Sequence, residues 1–144
     1  MPKKKIEVKM VSYGIYTQWE HGSKVLPKIR KHTKEIPAEL DIEFGYTLRI
    51  LRAKGSKITF VMKHPPFCDD QGNVRPDFVG EEMVNSNEWH FFLGDTVWLP
   101  IEDKCGEWEL ITMLDGKEVA RMKFNLFNPN LNREIRKTPF CGFP

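Results

Sequence analysis

The sequence carries few of the residues on which chemistry depends. Of its 144 residues only four are histidine and three cysteine. No C-x-x-C, H-E-x-x-H, G-x-S-x-G or glycine-rich phosphate loop occurs. The usual zinc, serine-hydrolase and nucleotide-binding signatures are therefore missing. Long apolar runs are missing too, since none nears the ~20 residues that a membrane span requires. The opening Lys3-Lys4-Lys5 leads into Ile6-Glu7-Val8-Lys9 rather than into the apolar region of a secretory signal. Cys68, Cys105 and Cys141 are odd in number, a pattern that fits reduced thiols better than a disulfide framework. The expectation is a cytoplasmic protein with no membrane segment.

Helical periodicity is equally scarce. Residues 22–36 offer Val25, Leu26, Ile29 and Ile36, but Pro27 interrupts the stripe and no cap flanks it. We read 20–38 as a long basic loop.

What is abundant is apolar and aromatic material. The chain is 40% hydrophobic and 12% aromatic, with ten Phe, four Trp and three Tyr. That is ample area for one folded domain and argues against disorder. Charge is divided unevenly along it. Residues 1–34 hold nine Lys/Arg against Glu7 and Glu20, a net of +7, and the remainder holds 13 basic and 18 acidic residues, a net of −5.

Alternation of apolar and polar residues recurs throughout. Ile6, Val8 and Met10 alternate with Glu7 and Lys9, and Gly14 suggests a bulge or bend further on. Leu40, Ile42, Phe44, Tyr46, Leu48 and Ile50 share one parity, predicting a long strand with one wet face. Lys54-Gly55-Ser56-Lys57 then reads as a tight turn into Ile58, Phe60 and Met62, so 40–64 is expected to be a hairpin. Residues 66–80 form a turn-rich crossover, with a short edge strand near Val74 or over 78–84. Trp89, Phe91 and Leu93 alternate, and Phe92 breaks the pattern, which suggests a strand covered on both faces. Asp115-Gly116 between two alternating runs is a strong hairpin signal. These segments predict an all-β fold, an antiparallel immunoglobulin-like β-sandwich of about seven strands, with an antiparallel barrel as the alternative. The whole chain, 1–144, is expected to be a single domain with an irregular tail over 128–144.

Four short segments carry a family resemblance: Val11-Ser12-Tyr13-Gly14-Ile15-Tyr16, Phe44-Gly45, His64-Pro65-Pro66, and Gly106-Glu107-Trp108 ahead of Leu114-Asp115-Gly116-Lys117. Together they resemble an uncharacterised bacterial domain-of-unknown-function family, family 3859, over most of residues 5–127. The resemblance implies a small stand-alone β domain and transfers no catalytic residue.

Several side chains could carry function. His64, Cys68 and Asp69, with His90 approaching across a sheet, are candidate metal ligands, because imidazole, thiolate and carboxylate are all zinc donors. Their spacing matches no recurrent motif, and a turn already explains the segment. Cys68 or Cys105 beside a histidine would make a nucleophile only if the fold brought them together. Glu107 and Glu109 share a strand face, as a general acid and base could, but so does any solvated sheet face. Lys28, Arg30 and Lys31 belong to a cationic cluster that could track phosphates, although no aromatic interleaves with it to stack bases. Phe92, off the parity of its strand, is expected outside or at an interface. Phe140 and Phe143 in the tail could dock on a sheet edge or on a partner. The favoured reading is a non-enzymatic interaction module with a protein partner or an identical copy and no cofactor. A small-molecule or metal-binding domain is the alternative, and weak nucleic-acid binding through the basic loop is a third, less favoured reading.

Overall fold

A computed structural model describes residues 5–17 and 26–129. The alternating segments form nine strands: β1 Glu7–Tyr16, β2 Ile29–Lys31, β3 Glu35–Pro37, β4 Glu43–Leu51, β5 Lys57–Lys63, β6 Phe78–Met83, β7 Glu88–Thr96, β8 Gly106–Leu114 and β9 Lys117–Phe127. They build a four-stranded sheet of order β2-β1-β4-β7 and a five-stranded sheet of order β3-β9-β8-β5-β6. Neighbours are antiparallel except β3, which runs parallel to β9. Neither sheet closes on itself, so the fold is the expected sandwich and not the barrel. The described helical structure is one 3₁₀ turn, Glu102–Lys104.

The core lies where the two inward parities meet. Phe44, Tyr46, Leu48 and Ile50 of β4 face Trp108, Leu110, Phe124 and Leu126 of β8 and β9, and all are fully buried. Phe44 meets the Trp108 ring edge-on at 5.3 Å and the Phe124 ring at 5.7 Å, the geometry that ring quadrupoles favour. The Tyr46 hydroxyl reaches across to Thr112 Oγ1 at 2.6 Å, a hydrogen bond between the sheets. Burial pushes the Tyr46 phenol well above its ordinary pKa.

Asp115-Gly116 joins β8 to β9 as expected, with φ of 49° and 85° supplying the two positive values of a type I′ turn. The hairpin expected over 40–64 does not form. β4 pairs with β1 and β7, whereas β5 pairs with β6 and β8 in the other sheet. The turn after β4 thus crosses the sandwich, and the matching parities of the two strands face each other through the core. The outer face of β4 is not wet, because Glu43, Gly45 and Thr47 are buried. β1 shifts register twice, between Met10 and Ser12 against β4, which turns Val11 out to solvent, and between Ile15 and Tyr16 against β2, one residue past Gly14. Within the basic segment read as loop, Ile29–Lys31 and Glu35–Pro37 are strands. They are too short to show an alternating signal, and edge pairing with β1 and β9 holds them.

Candidate interaction edge and the buried clusters behind it

β6 and β7 are the last strands of their sheets and lie on the same side of the sandwich. Trp89 Nε1 on β7 donates to Glu82 Oε2 on β6 at 3.0 Å and ties them. Among the described residues neither strand has a partner on its outer edge. Residues 69–88, which include β6 and its flanks, hold Asp69, Asp70, Asp77, Glu81, Glu82 and Glu88 against Arg75 alone, a net of −5. The negative balance of everything after residue 34 is thus matched by this one stretch. Large apolar side chains stand among these acids: Val79 is 71% exposed, Val74 59% and Met83 48%. Val79 sits in register with Val61 of β5, and Val61 with Ile111 of β8, so an apolar row crosses the outer face up to the open edge. The nearest cations hold these acids loosely. Glu81 meets Lys57 at 3.7 Å and Glu88 meets Arg49 at 2.9 Å, both pairs well solvated and of little energetic weight.

On the opposite side exposed cations outnumber acids, Glu35 of β3 being one of the acids. β2 and β3 close the far ends of the two sheets. Lys28, Arg30, Lys31 and Lys34 are exposed there, and none forms an ion pair among the described residues. Lys34 lies 6.0 Å above the Tyr13 ring.

The four candidate metal ligands are not brought together. His90 is on β7, paired with Arg49 on the outer face of the four-stranded sheet, whereas His64 follows β5 in the other sheet. Both nitrogens of His64 lie 2.8 Å from carbonyl oxygens, Nδ1 from that of Pro65 and Nε2 from that of Pro76. The Asp69 carboxylate accepts the backbone N–H groups of Gln71 and Asn73, which hold its pKa below the usual range. Cys68 is disulfide-bonded. That corrects the expectation of reduced thiols throughout, and a disulfide sulfur is no thiolate ligand. Cys105 is a free thiol; burial and the nearby Glu102 and Asp103 carboxylates raise its pKa, the reverse of what a nucleophile needs. Glu107 and Glu109 are ion-paired with Lys123 and Arg121 on the outer face.

Two buried clusters lie behind these surfaces. The first surrounds Lys104, which is 1% exposed. Its Nζ donates to Asp103 Oδ1 at 2.6 Å and to the Pro100 carbonyl at 3.0 Å, and lies 4.4 Å from the Trp98 ring and 4.8 Å from the Phe67 ring. Phe67 stacks on His64 at 4.3 Å, and His64 lies 5.6 Å from Trp108. The chain's own lysine thus fills an aromatic cage that would otherwise suit a ligand cation. Nothing in the sequence around Glu102-Asp103-Lys104 marks that lysine as buried.

The second cluster lies on the outer face of the four-stranded sheet. Gly14, Gly45 and Gly94 are in register across β1, β4 and β7. A Cβ on Gly45, whose φ is +154°, would come 2.1 Å from the Leu93 carbonyl oxygen. Over this row lie Tyr16 and Phe92, ring centroids 4.9 Å apart. The Tyr16 hydroxyl contacts Ser12 Oγ at 2.7 Å and accepts from Thr47 Oγ1 at 3.2 Å. Phe92 is therefore buried, not exposed as its parity suggested, because the glycines let its ring lie down against the sheet. Phe140 and Phe143 lie outside the described residues.

The segments that carry the family resemblance converge on these two clusters. His64 and Trp108 meet in the first, and Ser12, Gly14, Tyr16 and Gly45 share the second. The two packed sheets define an immunoglobulin-like sandwich. Among solved structures, an immunoglobulin-like protein from Pseudomonas aeruginosa superposes with a TM-score of 0.69 at 17% identity, covering 87% of this chain and 98% of that one. An alkylpurine DNA glycosylase from Pseudomonas fluorescens bound to DNA with an abasic site analogue reaches a TM-score of only 0.42 at 11% identity, covering 86% of this chain and 31% of that one, and carries no argument. No curated protein matches. Residues 4–126 match the model of a domain of unknown function, DUF3859, and the chain belongs to that family. No described helix is long and apolar enough to cross a membrane.

Proposed function

We propose that this protein is a non-enzymatic interaction module that recognises an extended segment by strand addition along β6. The observation that carries the reading is the β6 edge, unpaired among the described residues, with Val79 exposed on that strand. Soluble sandwiches usually guard such an edge with lysine, proline or a bulge. β6 has none of these; it has Gly80 and two glutamates, and among the described residues no strand covers its outer edge. An added strand would gain main-chain hydrogen bonds from the edge. Its alternate side chains would lie beside Val79 on one face, which continues the row from Val61. Of the side chains suggested for chemistry, His64 is held by carbonyls, Asp69 by a turn, Glu107 and Glu109 by ion pairs and Cys68 by a disulfide, which supports the same reading.

A library of displayed random peptides, selected against the immobilised full chain, tests this. Selected peptides are expected to slow amide exchange over Phe78–Met83, and Val79→Lys is expected to abolish their binding. Peptides that protect only other segments, or that ignore Val79→Lys, would overturn the reading.

A further inference from the structure

We propose that the partner of the acidic β6 edge is a second copy of this chain, which presents its basic β2 edge, so that copies associate head to tail. This rests on the strand-addition reading and names its occupant.

Topology and charge carry the argument. Each sheet ends in a different strand on each side, which leaves β6 open on one side of the sandwich and β2 open on the other among the described residues. Residues 69–88 carry a net of −5, whereas Lys28, Arg30, Lys31 and Lys34 are exposed and form no ion pair among the described residues. Pairing β6 with β6 would bring glutamates of two copies together, and pairing β2 with β2 would oppose Arg30 and Lys31 to themselves. Like charges across strands destabilise a pair. The unlike pairing satisfies both edges and sets Arg30 and Lys31 near Asp77, Glu81 and Glu82. It is a heterologous contact, two different patches meeting, so each added copy again offers one edge of each kind. β2 spans three residues, or about 10 Å at the usual strand rise. The contact is accordingly small, in the range of weak and transient associations, and charge contributes much of its specificity.

Sedimentation velocity on the full chain over a concentration series tests the proposal. Two double variants are compared: Asp77→Lys with Glu81→Lys, and Arg30→Glu with Lys31→Glu. All four positions are exposed, and the Trp89–Glu82 bond is left intact. The wild type is expected to associate reversibly in low salt and to dissociate at about 0.5 M, where screening shortens the Debye length to a few ångströms. Each variant alone is expected to sediment as a monomer. Their equimolar mixture is expected to associate again, because the reversed edges complement each other. Three results would overturn the proposal: a wild type that stays monomeric at every concentration in low salt, association that survives in either variant alone, or a mixture that stays monomeric. Should the proposal fail while selected peptides still protect β6, strand addition stands and the partner is a different protein.

Discussion

Trp89 Nε1 donates to Glu82 Oε2 across the open side of the sandwich, the one described side-chain hydrogen bond that joins the edge strands of the two sheets. It ties β6 to β7, and among the described residues the outer side of β6 has no strand partner. Glu82→Ala leaves the indole in place and removes the acceptor. A loss of about 0.5–1.5 kcal/mol is expected, the net worth of one hydrogen bond. Chemical denaturation measures that loss, and faster amide exchange in β6 than in β8 would localise it.

Lys104 is the buried cation of the molecule's aromatic end. Removing its charge leaves the Pro100 carbonyl without its donor and the Asp103 carboxylate without its cation. Lys104→Met is expected to cost about 1–3 kcal/mol, the penalty for orphaned polar partners. Asp103→Asn is expected to cost less, because that side chain is 35% exposed and water can replace it. Thermal melts of the two variants, compared side by side, check the order.

Glycine positions divide by what a methyl group would meet. At Gly45 the added Cβ would strike the Leu93 carbonyl, so Gly45→Ala is expected to cost about 4 kcal/mol or more, in the exceptional range for one substitution. At Gly55 nothing lies within 4 Å and only the positive φ is unfavourable, so Gly55→Ala is expected to cost roughly 1–2 kcal/mol. Equal losses would contradict the close approach of β4 to β7.

Much of this architecture is legible in the sequence, and the exceptions have physical causes. Alternation marks β1, β4, β5, β7, β8 and β9, because successive side chains of a strand point to opposite faces and the inward ones are largely apolar. It cannot say which strand neighbours which, and that is why a crossing between sheets reads as a hairpin at Lys54–Lys57. Glu43 and Thr47 look solvent-facing by composition; they are buried because three glycines in register let Tyr16 and Phe92 fold over them, a relation that exists only once strands pair. The acidic edge is visible in the sequence as Asp77, Glu81, Glu82 and Glu88, but only the fold shows that an open strand runs through it.

Titration sets the pH window of stability. Asp69 and Asp115 are held low by backbone N–H donors and Glu118 by Arg121. Each favours the folded state while ionised. That stability is complete above the unfolded carboxylate values near 4 and is lost as pH falls through the lower folded values. Tyr16, Tyr46 and Cys105 are raised, chiefly by burial, so their contribution is complete below the unfolded values and is lost as pH rises beyond about 9–10. Melting temperature is expected to be flat between about pH 5 and 8 and to fall on both flanks. Asp115→Asn is expected to soften the acid flank, since the lost carboxylate no longer titrates.

The thiols separate chemically. In denaturant without reductant, Cys105 is expected to alkylate and Cys68 is not; after reduction both are expected to react. Mass spectrometry of the digested protein reads this directly. Modification of Cys68 without reductant would restore the reduced thiol that the sequence suggested and would fit a reducing compartment.

The most direct test of the account is amide hydrogen exchange on the full chain, dilute against concentrated, in low salt. Slower exchange at high concentration over Phe78–Met83 and Ile29–Lys31, reversed by added salt, is the predicted result. Exchange in β6 that is indifferent to concentration, with protection arising elsewhere or nowhere, would contradict it.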